Sequence, residues 1–167
     1  MAVGEQEREA APDVFAAAVA AEIPRLRRFA RVLIRPAEAA DDLVQETVLR
    51  AIAARSQFTP GTNLRAWLFV ILRNARNAEL RRLRRFAPLD DEAGRAIPVS
   101  GGQEERHAMT DVAAAFLRLP PTQREALWLV VVEGMGYAAA ASVLRIPVGT
   151  VRSRLSRARD ALRAALE

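Results

Sequence analysis

Apolar residues recur at helical spacing along almost the whole chain, and the every-other-residue alternation of a half-buried strand never persists. That periodicity predicts an all-α fold. One stretch interrupts it. Between Ala87 and Asp111, Pro88, Asp90, Asp91, Gly94, Pro98, Ser100, Gly101 and Gly102 replace the periodic pattern, and the segment reads as a flexible acidic linker. The 167 residues are thus expected to divide into an N-terminal tail with a short helix (1–23), a helical domain (24–86), the linker (87–110) and a second helical domain (111–167).

Local signals place the helices. One is expected to start near Asp13 and another after Pro24, the latter with Leu26, Phe29, Ala30, Leu33 and Ile34 as its buried stripe and Arg35-Pro36 as its break. A helix over about Ala39–Ala54 leads to the loop SQFTPGTN, and Asn63 is an N-cap candidate for a long helix reaching the Arg pairs near residue 85. In the second domain a helix over about Asp111–Leu119 precedes Pro120-Pro121, which open another that ends at Gly134 and Gly136. Two final helices, YAAAASVL and VGTVRSRLSRARDALRAAL, are joined by the tight connection Arg145-Ile146-Pro147.

Composition narrows the chemistry. There is no cysteine, which removes disulfides, thiolate metal sites and cysteine nucleophiles. With His107 as the single histidine, histidine-cluster metal sites and a Ser-His-Asp triad are also poor fits, and no catalytic residue or cofactor is expected. No apolar run approaches the roughly 18–20 residues that span a bilayer, and the start MAVGEQEREAAPD is acidic, unlike a secretory signal. The expectation is an intracellular chain without membrane insertion.

All 25 basic residues are arginine, against 20 acids. Arginine presents a planar fork of donors suited to phosphates and base edges. The charge is also segregated: residues 23–86 carry net +9 and residues 121–167 net +3, while 1–22 carry −4 and 87–120 carry −3. Two basic blocks separated by acidic strips predict two surfaces that meet a polyanion.

Three helix faces ask for partners. On the last helix Val151, Leu155, Ala158, Leu162 and Leu166 form a core stripe. Its other side carries Arg152, Ser153, Ser156 and Arg157, with Thr150 and Arg154 on the flank. With the short helix before it, this matches a helix-turn-helix whose second helix reads the major groove; the alternative is an ordinary solvated basic helix. On the long third helix Leu64, Leu68, Ile71, Leu72, Ala75 and Ala78 are expected to be core. Opposite them Phe69 sits among Arg65, Arg73, Arg76 and Asn77, with Trp67 and Asn74 at the shoulder. Either this is a stacking platform for unpaired bases on a charged track, or Phe69 packs against the N-terminal helix or the linker. On the second helix Leu43, Val44, Thr47, Val48 and Ala51 face inward, and Asp42, Gln45, Glu46 and Leu49 face outward. A large aliphatic in an acidic patch reads as a protein-docking spot or as a solvated face with one stray Leu.

Four segments, DDLVQETVLRA (41–51), TNLRAWLFVILRN (62–74), LPPTQREALWL (119–129) and IPVGTVRSRLSRARDAL (146–162), resemble in order and spacing an RNA polymerase sigma factor of the extracytoplasmic-function (ECF) type. The NLRAWLFVILRN wording resembles the general-stress-response subgroup of alphaproteobacteria. The resemblance implies a bacterial transcription initiation factor with sigma-2-like and sigma-4-like domains. Its implied partners are core RNA polymerase (β′ clamp helices and β flap), promoter DNA and an anti-sigma factor. It implies that Asp42, Gln45, Glu46 and Leu49 contact the β′ clamp helices. It further implies that Arg65, Trp67, Phe69, Arg73, Asn74, Arg76 and Asn77 melt and capture the −10 non-template strand, and that Thr150, Arg152, Ser153, Arg154, Ser156 and Arg157 read the −35 duplex. Melting would draw on tighter binding of open than of closed DNA, without nucleotide hydrolysis.

Two positions depart from the family pattern. Tyr137 is followed by four alanines where an acidic residue is common, and Arg145 stands where Gly often precedes Ile-Pro, so that it must adopt or avoid a left-handed backbone. Two other readings compete: a sigma-mimic that sequesters an anti-sigma protein without reading DNA, and a simple helix-turn-helix regulator using residues 111–167 alone. The second leaves the Asp42–Leu49 patch and the Phe69 face unexplained.

Overall fold

In a computed structural model, which describes residues 13–86 and 105–167, the Asp13 carboxylate accepts from the backbone N–H groups of Phe15 and Ala16 at 3.1 and 3.2 Å and so starts α1 (Val14–Leu33). The helix runs unbroken through Pro24, where the sequence leads one to expect two helices. Ala20, whose carbonyl loses its helical partner, and Pro24 are both exposed, while Val19, Leu26, Phe29 and Ala30 are buried on either side of the proline. Packing on both sides holds the helix through a residue that by propensity alone would end it.

Arg35-Pro36 separates α1 from α2 (Ala37–Ala53), and a short 3₁₀ turn (Arg55–Gln57) leads into the loop before α3 (Leu64–Phe86). Asn63 caps α3, its side-chain oxygen accepting from the Ala66 N–H at 3.0 Å. These three helices enclose Leu26, Phe29, Leu33, Leu43, Val44, Leu68, Phe69 and Leu72.

The second half comprises α4 (Glu105–Arg118), α5 (Pro121–Leu127), α6 (Tyr137–Leu144) and α7 (Val148–Leu166). α4 begins six residues before the expected start, in a run without Gly or Pro to oppose it. The sequence-predicted tail and linker lie outside the described residues up to residue 12 and over 87–104. Pro121 opens α5 at its first turn, where the missing N–H costs nothing. A single π-helical turn (Trp128–Val132) extends α5, and Gly134, at φ 66°, reverses the chain. Leu119, Leu127, Leu129, Val143, Leu144, Val151, Leu155 and Ala158 form the buried side of this half. The described residues contain seven α-helices and no strand, as the periodicity predicts.

The two halves touch. α3 packs against α6 and α1 against α5, so that one continuous buried cluster spans both.

Candidate nucleic-acid interface

The turn between α6 and α7 sets the geometry of the second half. Arg145 caps α6 in the left-handed conformation (φ 55°, ψ 47°), and the Ile146 N–H returns to the Ala141 carbonyl at 3.1 Å. Pro147 then starts α7. Val151, Leu155 and Ala158 face the core; Leu162 is half-buried and Leu166 is exposed, because the last turns of α7 run past the helices that cover its start.

On the opposite side Arg152, Ser156 and Arg157 are exposed, and Thr150, Ser153 and Arg154 half-exposed. The Arg152 guanidinium lies 5.7 Å from the centre of the Tyr137 ring, a cation–π contact across the two helices. Ser153 Oγ donates to the Thr150 carbonyl at 3.0 Å. An open groove of about 420 Å³ runs from Tyr137 past Arg152, Ser156 and Arg159 to Arg163. This helix-turn-helix therefore presents small polar and arginine side chains together at the start of its second helix, the arrangement that can reach both phosphates and base edges.

The third helix differs from the expectation. Phe69 is fully buried, its ring 4.9 Å from that of Phe29 in α1. It is a core residue and offers no exposed stacking face. The reason is that α3 is covered by α1 and α2 on one side and by α6 on another, so its buried stripe is wider than a one-sided helix would have, while Leu64, Ile71 and Ala78 are only half-buried. Trp67 is half-buried in an aromatic cluster, 6.2 Å from Phe15 and 5.3 Å from Phe58. Arg65 donates to Glu22 of α1 at 2.9 and 3.3 Å, and this hydrogen bond holds its pKa above the ordinary guanidinium value.

Arg73, Asn74, Arg76 and Asn77 share one turn of α3 and are half-buried. Arg73 donates to Glu125 Oε2 at 3.0 Å and to the Val143 carbonyl at 2.9 Å; Arg76 donates to Glu125 Oε1 at 3.0 Å. Next to them, burial and the Arg76 and Arg35 charges push the Arg124 pKa below its ordinary value. A second ion pair, Arg25 with the buried Glu133 at 3.4 Å, joins α1 to the end of the π turn.

Sequence reasoning missed Glu125, Glu133 and Arg25. A signal for the first exists: Glu125 stands four residues before Leu129 and hence on the same buried face, an unusual place for a carboxylate.

On α2 the local pattern holds. Asp42, Gln45, Glu46 and Leu49 are exposed, Leu49 by 67%, while Leu43, Val44, Thr47 and Ala51 are buried. Glu46 pairs with Arg50 at 2.6 Å and Asp41 with Arg27 at 3.0 Å. Among the described residues no helix is long and apolar enough to cross a membrane.

Residues 19–73 match the family described as the sigma-2 domain of PhyR, and residues 110–162 match sigma-70 region 4. The chain is 44% identical over 149 residues to the ECF RNA polymerase sigma factor EcfG of Rhodopseudomonas palustris, covering 89% of this chain and 82% of that protein. It is 41% identical over 133 residues to SigC of Mycobacterium tuberculosis, covering 77% and 70% respectively. Its fold superposes on the sigma factor RpoE of Bartonella quintana, solved with the anti-sigma factor NepR, with a TM-score of 0.75 at 33% identity over 91% of this chain and 96% of that one. The chain belongs to the ECF sigma factors, the transcription initiation factors of RNA polymerase.

Proposed function

We propose that this sigma factor divides its contacts among three faces. The exposed turn of α2 with Asp42, Gln45, Glu46 and Leu49 docks on the β′ clamp helices of core polymerase. The start of α7, with Thr150, Arg152, Ser153, Arg154, Ser156 and Arg157, reads the −35 duplex. Arg73, Asn74, Arg76 and Asn77 of α3 take up the −10 non-template strand. It acts through binding, with no reaction of its own, in the cytoplasm, and an anti-sigma factor restrains it; the last point is supported by relatives solved with NepR and with CnrY.

The observation that carries this reading is the separation of chemistries. Leu49 stands exposed in an acidic patch that would repel phosphate, whereas Arg152 and Arg157 stand exposed on a helix of the opposite charge. Run-off transcription with core polymerase, with and without the chain, tests it. New start sites should appear with the wild type. Leu49→Asp should abolish them together with polymerase co-elution, while Arg152→Ala/Arg157→Ala should abolish them with co-elution intact. A mimic that only sequesters an anti-sigma protein would give no start sites in any arm.

A further inference from the structure

Glu125 has more arginines around it than its carboxylate can serve. Both of its oxygens are taken, Oε2 by Arg73 and Oε1 by Arg76, each at 3.0 Å. Arg124, the residue before it, gives one Nη to the Leu117 carbonyl at 2.9 Å, while its Nε is shut off from solvent and has no partner among the described residues. Burial, then the charges of Arg76 and Arg35, push the Arg124 pKa down, and the opposing pull of Glu125 is the weakest of these influences. Arg35, just past the end of α1, is exposed. Among the described residues neither Arg35 nor Arg124 forms an ion pair with a carboxylate. Four positive charges, Arg35, Arg73, Arg76 and Arg124, thus bear on this seam of α1, α3 and α5 against the single negative charge of Glu125.

A half-buried cation has lost part of its hydration, and neighbouring cations repel it, so the seam gains by taking up an anion. A guanidinium offers two parallel N–H donors, a fork that matches a tetrahedral oxyanion and that chloride cannot use.

We propose that Arg35 and Arg124, with Arg76 beside them, form a binding site for one small phosphate dianion, either free or as the terminal group of a metabolite. The site does not depend on the DNA and polymerase faces assigned above: Arg35 and Arg124 belong to none of them, and Arg76 enters through its charge. A nucleic-acid backbone is held by a run of exposed cations. Here Arg124 is half-buried and Arg35 is exposed next to it, so the donors are gathered in one spot and suit a single phosphate group.

Isothermal titration calorimetry of the full chain with inorganic phosphate, at an ionic strength held constant with chloride and at about pH 8, tests the site. Wild type should show saturable binding at a single site. Arg35→Gln, at an exposed position, and Arg124→Gln should each weaken it by about tenfold or more. Circular dichroism verifies the folding of Arg124→Gln, which also gives up the Leu117 contact. Arg118→Gln, exposed in α4, should bind as wild type does, and so should Arg152→Ala/Arg157→Ala. Glycerol 3-phosphate in place of phosphate separates the two sources: equal or tighter binding assigns the site to a metabolite's terminal group, weaker binding to the free ion. Heat that never saturates, or an affinity unchanged by both Arg35→Gln and Arg124→Gln, overturns the site. Loss of binding in Arg152→Ala/Arg157→Ala with Arg124→Gln unaffected overturns it too, because the anion then sits on the basic face of α7.

Discussion

The rings of Phe29 and Phe69 meet with centroids 4.9 Å apart and planes inclined at 56°, and both side chains are fully buried. This tilted contact pins α3 to α1 at the level of the turn just before Arg73 and Asn74. An aromatic pair of this kind adds roughly 0.5–1.5 kcal/mol beyond the area it buries. It fixes the helix that carries Arg73, Asn74, Arg76 and Asn77, the residues proposed to take up the −10 strand.

Phe69→Ala should accordingly behave as a core truncation. The expected loss is about 3–5 kcal/mol in urea unfolding of the full chain. Phe69→Leu, which keeps most of the volume, should lose far less and should still support start-site selection in run-off transcription. Loss of transcription by a stably folded Phe69→Leu would return Phe69 to the DNA-contacting set.

Arg145 holds a left-handed backbone at φ 55° that costs a residue with a Cβ roughly 1–2 kcal/mol. Arg145→Gly relieves that strain and gives back part of it through the greater freedom of glycine in the unfolded chain. A net stabilisation of about 0.5–1 kcal/mol should appear as a higher unfolding midpoint. Arg145→Val, β-branched, should be destabilising at the same position.

Removing Arg152 and Arg157 together should weaken −35 duplex binding by the holoenzyme and lower its salt dependence. If each arginine neutralises one phosphate, the slope of log K against log salt should fall by about 1.8. Arg152 has a further role to lose, since its stacking on Tyr137 positions it before DNA arrives. Tyr137→Leu should therefore weaken binding with an unchanged salt slope, measured by anisotropy across a salt series.

The Asp13 carboxyl sits below the usual aspartate range, chiefly through its hydrogen bond with the Ala16 N–H, helped by Arg55 at 2.8 Å. Its folded pKa is depressed, so the stability it contributes is present in full above the unfolded value and is lost as pH falls through the folded one. Asp13→Asn keeps a capping oxygen but gives up the charge. The variant should melt at a lower temperature than wild type at neutral pH, and the two midpoints should converge below about pH 4. A constant difference down to acid pH would show that the Arg55 contact and the helix N-terminus do not sense the Asp13 charge.

Properties set by neighbours along the chain were legible in the sequence. The helical class, the Asn63 cap, the Pro120-Pro121 start, the tight turn into α7 and the outward face of Asp42, Gln45, Glu46 and Leu49 all follow from spacing within a few residues. Tertiary structure alone decided the rest. Helical spacing says which residues share a face, but not how many faces of one helix are covered. Phe69 is buried because α1 lies against α3, and α1 runs through Pro24 because its packing on both sides outweighs a local preference. The pairing of Arg73 with Glu125 spans 52 positions of sequence, and no periodicity reaches that far. Whether an arginine faces solvent, DNA or a carboxylate of its own chain is settled only when the two halves meet.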